Sequence, residues 1–115
     1  MAVGDGFRDL VLERVGPLVI GLRHRPMFGG VSLSCEAGTF ALIDDDILYL
    51  KGDKAVRGEF EAAGWPPFRP FGPEGSAMGY FAVPGELLDE PAALQPWVNR
   101  AVAAARRSGS GSRRR

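Results

Sequence analysis

Residues 31–51 decide the fold, and they read VSLSCEAGTFALIDDDILYLK. The first five residues alternate apolar and polar side chains with the period of two that a half-buried β-strand shows, so Val31, Leu33 and Cys35 are expected to face a core. Two more apolar segments follow, and the three predicted strands are 31–35, 39–43 and 47–51. Short turns between short strands predict an antiparallel meander.

The two turns in this stretch differ in chemistry. Gly38 closes the first, because a residue without Cβ accepts a positive φ at no steric cost. Asp44, Asp45 and Asp46 form the second. This acidic triplet lacks the loop glycine and the later glutamate of a calcium-binding EF-hand, so we interpret it as a solvated hairpin turn.

Helical patterns lie on both sides of the meander. Apolar residues at three- and four-residue steps predict a helix that begins near Asp5 and ends at 16–17, where a proline stops it. A short second helix is expected between Asp53, its cap, and Gly64. The clearest periodicity predicts a last amphipathic helix. Its apolar positions are Leu94, Trp97, Val98, Ala101, Val102 and Ala105.

Two other segments have strand composition, namely 18–25 and 77–83. The element order predicts a single α+β domain, with an antiparallel sheet of about four to six strands and helices packed on one face. The predicted order is a helix, three or four strands, a helix, one or two strands and a helix. The expected boundaries are a flexible N-terminus at 1–6, the folded domain at 7–106 and a disordered Arg-rich tail at 107–115.

The zero net charge of the 115-residue chain hides an uneven distribution. Five of its 14 basic residues lie in the last ten positions, which leaves nine basic against 14 acidic residues, a formal charge of −5, in the rest. An acidic body argues against a DNA-binding face on the folded part, whereas a basic tail can neutralise a few phosphates. The tail arginines are Arg106, Arg107, Arg113, Arg114 and Arg115.

The sequence offers little for catalysis. A single histidine and a single cysteine cannot build a zinc site without several carboxylates. Cys35 is expected to be a buried and inert thiol, and no catalytic motif joins it to His24. No phosphate-binding glycine motif is present. We therefore expect no metal, no cofactor and no enzyme activity. With one cysteine, no secretion signal and no apolar run near ~20 residues, the chain is expected to be cytoplasmic and free of membrane contact.

Aromatic residues concentrate in the second half of the chain, and a proline-rich loop at 65–75 carries three of them. Trp65, Phe68 and Phe71 allow two interpretations. They either pin the loop to the core or form a rigid recognition surface for a partner.

Several stretches, taken in order, resemble the N-terminal domain of the TfoX/Sxy family of bacterial competence regulators. They are RPMFGG at 25–30, TFALI at 39–43, LYLK at 48–51, FEAAG at 60–64, PF at 67–68 and MGYFAVP at 78–84. The resemblance extends over about residues 7–106. It implies a compact α+β fold in a cytoplasmic bacterial protein without known enzyme activity. It also implies a role beside transcription, because larger members help to activate competence genes together with a cyclic-AMP receptor protein.

Larger family members carry a second, C-terminal domain, and this chain is expected to lack it. The motif positions that the resemblance carries over are Arg25, Met27, Phe28, Gly29, Gly30, Lys51, Phe68, Met78, Tyr80 and Pro84. Of these, Arg25 and Lys51 are the candidates to hold an anionic group, since both are cations on predicted strands.

Three hypotheses for the function follow. The first is a non-enzymatic regulatory or protein-interaction module that contacts an unknown protein through the loop aromatics. The second is direct nucleic-acid binding through the tail, aided by Arg23 and Arg25. The third is a small-ligand site that uses Arg25, Lys51 or Tyr80. Edge strands and Trp97 can also support a homodimer.

Overall fold

Five antiparallel strands form one open sheet in the computed structural model, which describes residues 5–27, 30–69 and 79–113. Neighbouring strands follow chain order from β1 to β5. The strands are β1 (Arg23–Met27), β2 (Gly30–Cys35), β3 (Gly38–Asp44), β4 (Ile47–Lys51) and β5 (Tyr80–Ala82). The helices are α1 (Asp5–Val15), α2 (Arg57–Ala62) and α3 (Pro91–Arg113), with short 3-10 turns at Gly16–Leu18 and Gly85–Asp89.

The predicted meander is confirmed, and the turn residues explain its geometry. Asp45 and Asp46 have φ values of 53° and 57°, so both central residues of the β3–β4 turn are left-handed. Two left-handed residues produce the tight hairpin whose twist matches that of the strands. Gly38, with a φ of 116°, begins β3 after the β2–β3 turn.

The core lies between one face of the sheet and the helices. Val31, Leu33 and Cys35 are buried as predicted. Val11 of α1, Phe60 of α2 and Val98 of α3 belong to the same buried cluster as these strand residues. All three helices therefore pack on one face, which we call the inner face, and the predicted α+β class is confirmed. None of the helices in the described part of the chain has the length and hydropathy of a membrane span.

Two strand predictions differ from the structure. The segment 18–25 is a strand only from Arg23, because Pro17 lies in a 3-10 turn and Gly21 has a φ of 73°. A left-handed glycine interrupts an extended run, so β1 begins after it. β5 likewise begins at Tyr80 after the left-handed Gly79, and residues 77–78 lie outside the described part.

Both later helices depart from their predicted ends. Asp53 caps the turn before α2, since its Oδ1 accepts hydrogen bonds from the N–H groups of Ala55 and Val56 at 3.1 and 3.3 Å. α3 continues to Arg113, so it ends beyond residue 106, where the folded domain is expected to end.

Candidate interaction face

The sheet has a second face, opposite the helices, which we call the outer face. Cross-strand partners point to the same side, so the register identifies its residues. They are Arg23, Arg25, Met27, Gly30, Ser32, Ser34, Thr39, Leu42, Asp44, Ile47, Tyr49, Lys51, Tyr80 and Ala82. Residues 66–68 extend the sheet beyond β5, because Phe68 N–H donates to the Tyr80 carbonyl at 2.7 Å and Ala82 N–H donates to the Pro66 carbonyl at 2.9 Å. Phe68 therefore joins the outer face beside Tyr80.

Three of the predicted site residues come together there with one that the prediction missed. Lys51 pairs with Tyr80 in register, and its Nζ lies 5.3 Å from the centre of the Tyr80 ring. The ring of Phe68 lies 4.6 Å from that of Tyr49, at an interplanar angle of 51°. We call Tyr49, Phe68 and Tyr80 the ring cluster. Tyr49 lies two residues before Lys51 on the same strand, and this period-two spacing is the sequence signal that could have identified it.

The two tyrosines of the ring cluster remain neutral. Burial raises the pKa of Tyr80, and burial together with the charges of Asp44 and Asp45 raises the pKa of Tyr49. Both hydroxyls therefore stay protonated over the physiological range and can donate a hydrogen bond.

The cations of the outer face differ from the helical arginines in their ion pairing. In the described residues, no carboxylate forms an ion pair with Arg23, Arg25 or Lys51. Most other arginines of the described helices do form one. The pairs are Arg8–Asp9, Arg14–Asp89, Arg57–Glu61, Arg100–Glu59, Arg106–Glu36 and Arg107–Asp53.

Positive charge that no described carboxylate compensates therefore lies on the outer face, although residues 1–105 are acidic overall. Asp44 is the one acidic residue that the described strands place on the outer face. The net charge of −5 for residues 1–105 therefore does not describe this face, because a net charge does not show which charges form ion pairs.

Arg25 and Lys51 do not converge on a single anion. They lie on β1 and β4, three steps apart in the strand order. At ~4.8 Å per step the separation is about 14 Å, too far for both to hold one small anionic group. The arrangement suits an extended anionic partner better than a pocket ligand.

The glycine motif next to Arg25 has a structural role at Gly30. Gly30 is buried, and a Cβ there would collide with the carbonyl oxygen of Ile43. Only glycine permits this close approach of β2 to β3. Met27 is half-buried opposite Gly30, and Phe28 and Gly29 lie outside the described residues.

The loop aromatics separate onto the two faces of the sheet. Trp65 is only 6% exposed and packs on Phe60 and Trp97 at centroid distances of 5.3 and 4.4 Å. The left-handed Gly64, with a φ of 82°, turns the chain back after α2 and places Trp65 in the core. Trp65 therefore pins the loop to the core, which is the first of the two interpretations, whereas Phe68 reaches the outer face. Phe71, Met78 and the rest of 70–78 lie outside the described part.

Two of the predicted tail arginines belong to α3 and are bound to the body. Arg106 Nη2 lies 2.6 Å from Oε2 of Glu36, and Arg107 Nε lies 2.7 Å from Oδ2 of Asp53. These arginines lower the pKa of both carboxyl groups, chiefly through the hydrogen bonds. The side chain of Arg113, and Arg114 and Arg115 entirely, lie outside the described part.

Metal-binding geometry is missing from the residues that the structure describes. No group of three or more His, Cys, Asp or Glu side chains there is arranged to hold a metal ion. Cys35 is buried on the inner face and His24 is exposed on the edge strand β1.

Comparison with known proteins supports the resemblance seen in the motifs. Residues 13–105 match the TfoX N-terminal domain. A search of curated proteins found no match. The matched residues make up most of the 115-residue chain and include all five strands and most of the helical core. This protein therefore belongs to the TfoX N-terminal domain family.

Proposed function

We propose that this protein is a non-enzymatic regulatory module that acts by binding a partner through the outer face. One observation carries the proposal: three cations that pair with no carboxylate of the described residues share this face with the ring cluster. The helices use their apolar sides to cover the inner face, whereas Arg23 and Arg25 are exposed on the outer face.

The composition of the outer face is that of a contact surface. Tyrosine and arginine are enriched where proteins make energetically important contacts. The half-buried rings of Tyr49, Phe68 and Tyr80 can bury further apolar area against a partner without refolding. Family membership supports a regulatory role beside transcription as the setting for such a contact.

The tail is the weaker candidate for the same role. Arg106 and Arg107 already hold Glu36 and Asp53, so an anionic partner would have to displace these carboxylates. The outer-face cations require no such displacement.

A pull-down from the native host tests the proposal with the full chain as bait. The test variant combines Arg25→Gln with Lys51→Gln. The matched control combines Arg8→Gln with Arg57→Gln, which removes the same charge from two exposed helical ion pairs. We expect wild type and control to retain a common partner that the test variant loses. If the test variant retains every partner, the outer face is not the contact surface.

A further inference from the structure

The partner class can be inferred from the same face. We propose that the outer face binds single-stranded nucleic acid, with bases stacked on the ring cluster and phosphates at Arg23, Arg25 and Lys51. This inference rests on the proposed function, because it names the chemistry of the partner.

Rings and cations lie on the same face of the sheet. From β1 to residues 66–68 the sheet has six neighbouring chain segments, hence five steps. At ~4.8 Å per step the face is about 24 Å wide, which is enough for a few nucleotides of an extended strand. Cations lie on β1 and β4, and rings lie on β4, β5 and the 66–68 segment. A strand that crosses the sheet therefore meets phosphate contacts first and stacking positions next.

The rings of Tyr49, Phe68 and Tyr80 are half-buried. Tyr49 and Phe68 meet at 51°, so they do not stack face to face, and both are half-buried rather than covered. An aromatic ring with an accessible surface stacks with any base. An acidic protein segment would also use the cations, but rings beside cations add stacking positions that suit any base. The combination of both on one sheet face favours nucleic acid.

The outer face suits a single strand better than a duplex. Base readout in duplex DNA requires a helix or a two-stranded ribbon that enters the major groove. All three helices pack on the inner face, so the described part of the outer face presents strand side chains and no helix. Asp44 and the acidic turn after it limit the face at one end. Phosphates are therefore expected along the row that contains Arg23, Lys51 and Tyr80, away from this turn.

The test is fluorescence anisotropy of the full chain with a labelled deoxythymidine strand of about ten nucleotides. Because three cations would contact phosphates, log affinity should fall with log salt with a slope of about −2. Tyr49→Ala should weaken binding by roughly 5-fold to 100-fold, the range for loss of one stacked base. Tyr49→Phe should retain binding, because it keeps the ring and removes only the hydroxyl.

Charge variants test the contribution of the cations, and competing polyanions test the preference for a single strand. Arg25→Gln with Lys51→Gln should weaken binding and flatten the salt dependence, whereas the control Arg8→Gln with Arg57→Gln should do neither. Thermal unfolding of each variant shows whether the fold is retained. A duplex of equal length should compete poorly, and so should polyglutamate.

Three results would overturn the inference. The first is binding that is unaffected by Tyr49→Ala and by the Arg25 and Lys51 substitutions. The second is binding abolished by serine substitutions at Arg113, Arg114 and Arg115 alone, which would assign it to the tail. The third is no binding of the strand at all. If a nuclease-resistant partner still requires Arg25 and Lys51 in the pull-down, the proposed function stands and only the nucleic-acid inference fails.

Discussion

Gly52 is a residue at which the packing of the core leaves no room for a side chain. It follows β4 directly, and its N–H donates to the Gly79 carbonyl at 2.8 Å. A Cβ built at Gly52 would lie 2.8 Å from Cε1 of Phe81 and 2.9 Å from Cδ2 of Phe60. Both rings are buried in the core, so neither can move aside without disturbing other contacts.

Gly52→Ala is therefore expected to lower the free energy of unfolding by about 1–3 kcal/mol, the range for overpacking a filled core. Urea denaturation at neutral pH measures the change. The expected cost arises from the collision alone, since Gly52 does not have a left-handed φ.

Gly58→Ala is the matched control. Gly58 is exposed within α2, and a Cβ there meets no atom within 4 Å. Alanine is favoured over glycine in a helix interior, so this variant should gain about 0.5–1 kcal/mol. Equal effects of the two substitutions would contradict the packing account of Gly52.

At the scale of elements, Asp53 connects three parts of the fold. Its carboxylate accepts backbone hydrogen bonds from Ala55 and Val56 and binds Arg107 of α3. The pKa of Asp53 is lowered, chiefly by the hydrogen bond from Arg107, then by the charge of Arg107 and by the two N–H groups. A carboxyl group whose folded pKa lies below its unfolded value stabilises the fold above the unfolded pKa. This contribution is lost as the pH falls through the folded pKa.

Asp53→Ala should therefore destabilise the protein by about 1 kcal/mol near neutral pH, mostly through the lost cap, because the exposed Arg107 pair is screened by solvent and salt. The difference from wild type should shrink as the pH falls below the ordinary aspartate pKa of about 3.9. Urea denaturation over a pH series measures it. Asp9→Ala, which removes an exposed carboxylate paired with its chain neighbour Arg8, serves as the control. A difference that stays constant down to acidic pH would contradict the role of the Asp53 carboxylate.

Local patterns predicted most elements, and long-range contacts explain the failures. Alternation at Val31, Leu33 and Cys35 predicted β2 and its buried face correctly, because that signal is contained within the strand. Trp65 could not be placed in the same way. Its burial depends on Gly64 turning the chain towards Trp97, and that contact joins segments far apart in sequence.

At the scale of the whole molecule, the distribution of compensated charge could not be predicted from the sequence. Asp53 and Arg107 are 54 positions apart, and Glu36 and Arg106 are 70 apart. Composition counts these charges but does not show that they pair with each other, while Arg25 and Lys51 form no ion pair with any carboxylate of the described residues. The candidate site was predicted in part: Lys51, Phe68 and Tyr80 were named as site residues. Their meeting beside Tyr49 depends on the pairing of β5 with β4.

We propose above that this protein binds its partner through the outer face of the sheet. The most direct measurement is a ¹H–¹⁵N NMR titration of the full chain with the same deoxythymidine strand. We expect little change in the amide shifts on the exposed side of α1 or α2. The amide shifts that should change are those of Arg23, Arg25, Tyr49, Lys51, Phe68 and Tyr80. Shift changes confined to the end of α3 and the residues after it, or spread over the helices, would contradict the account.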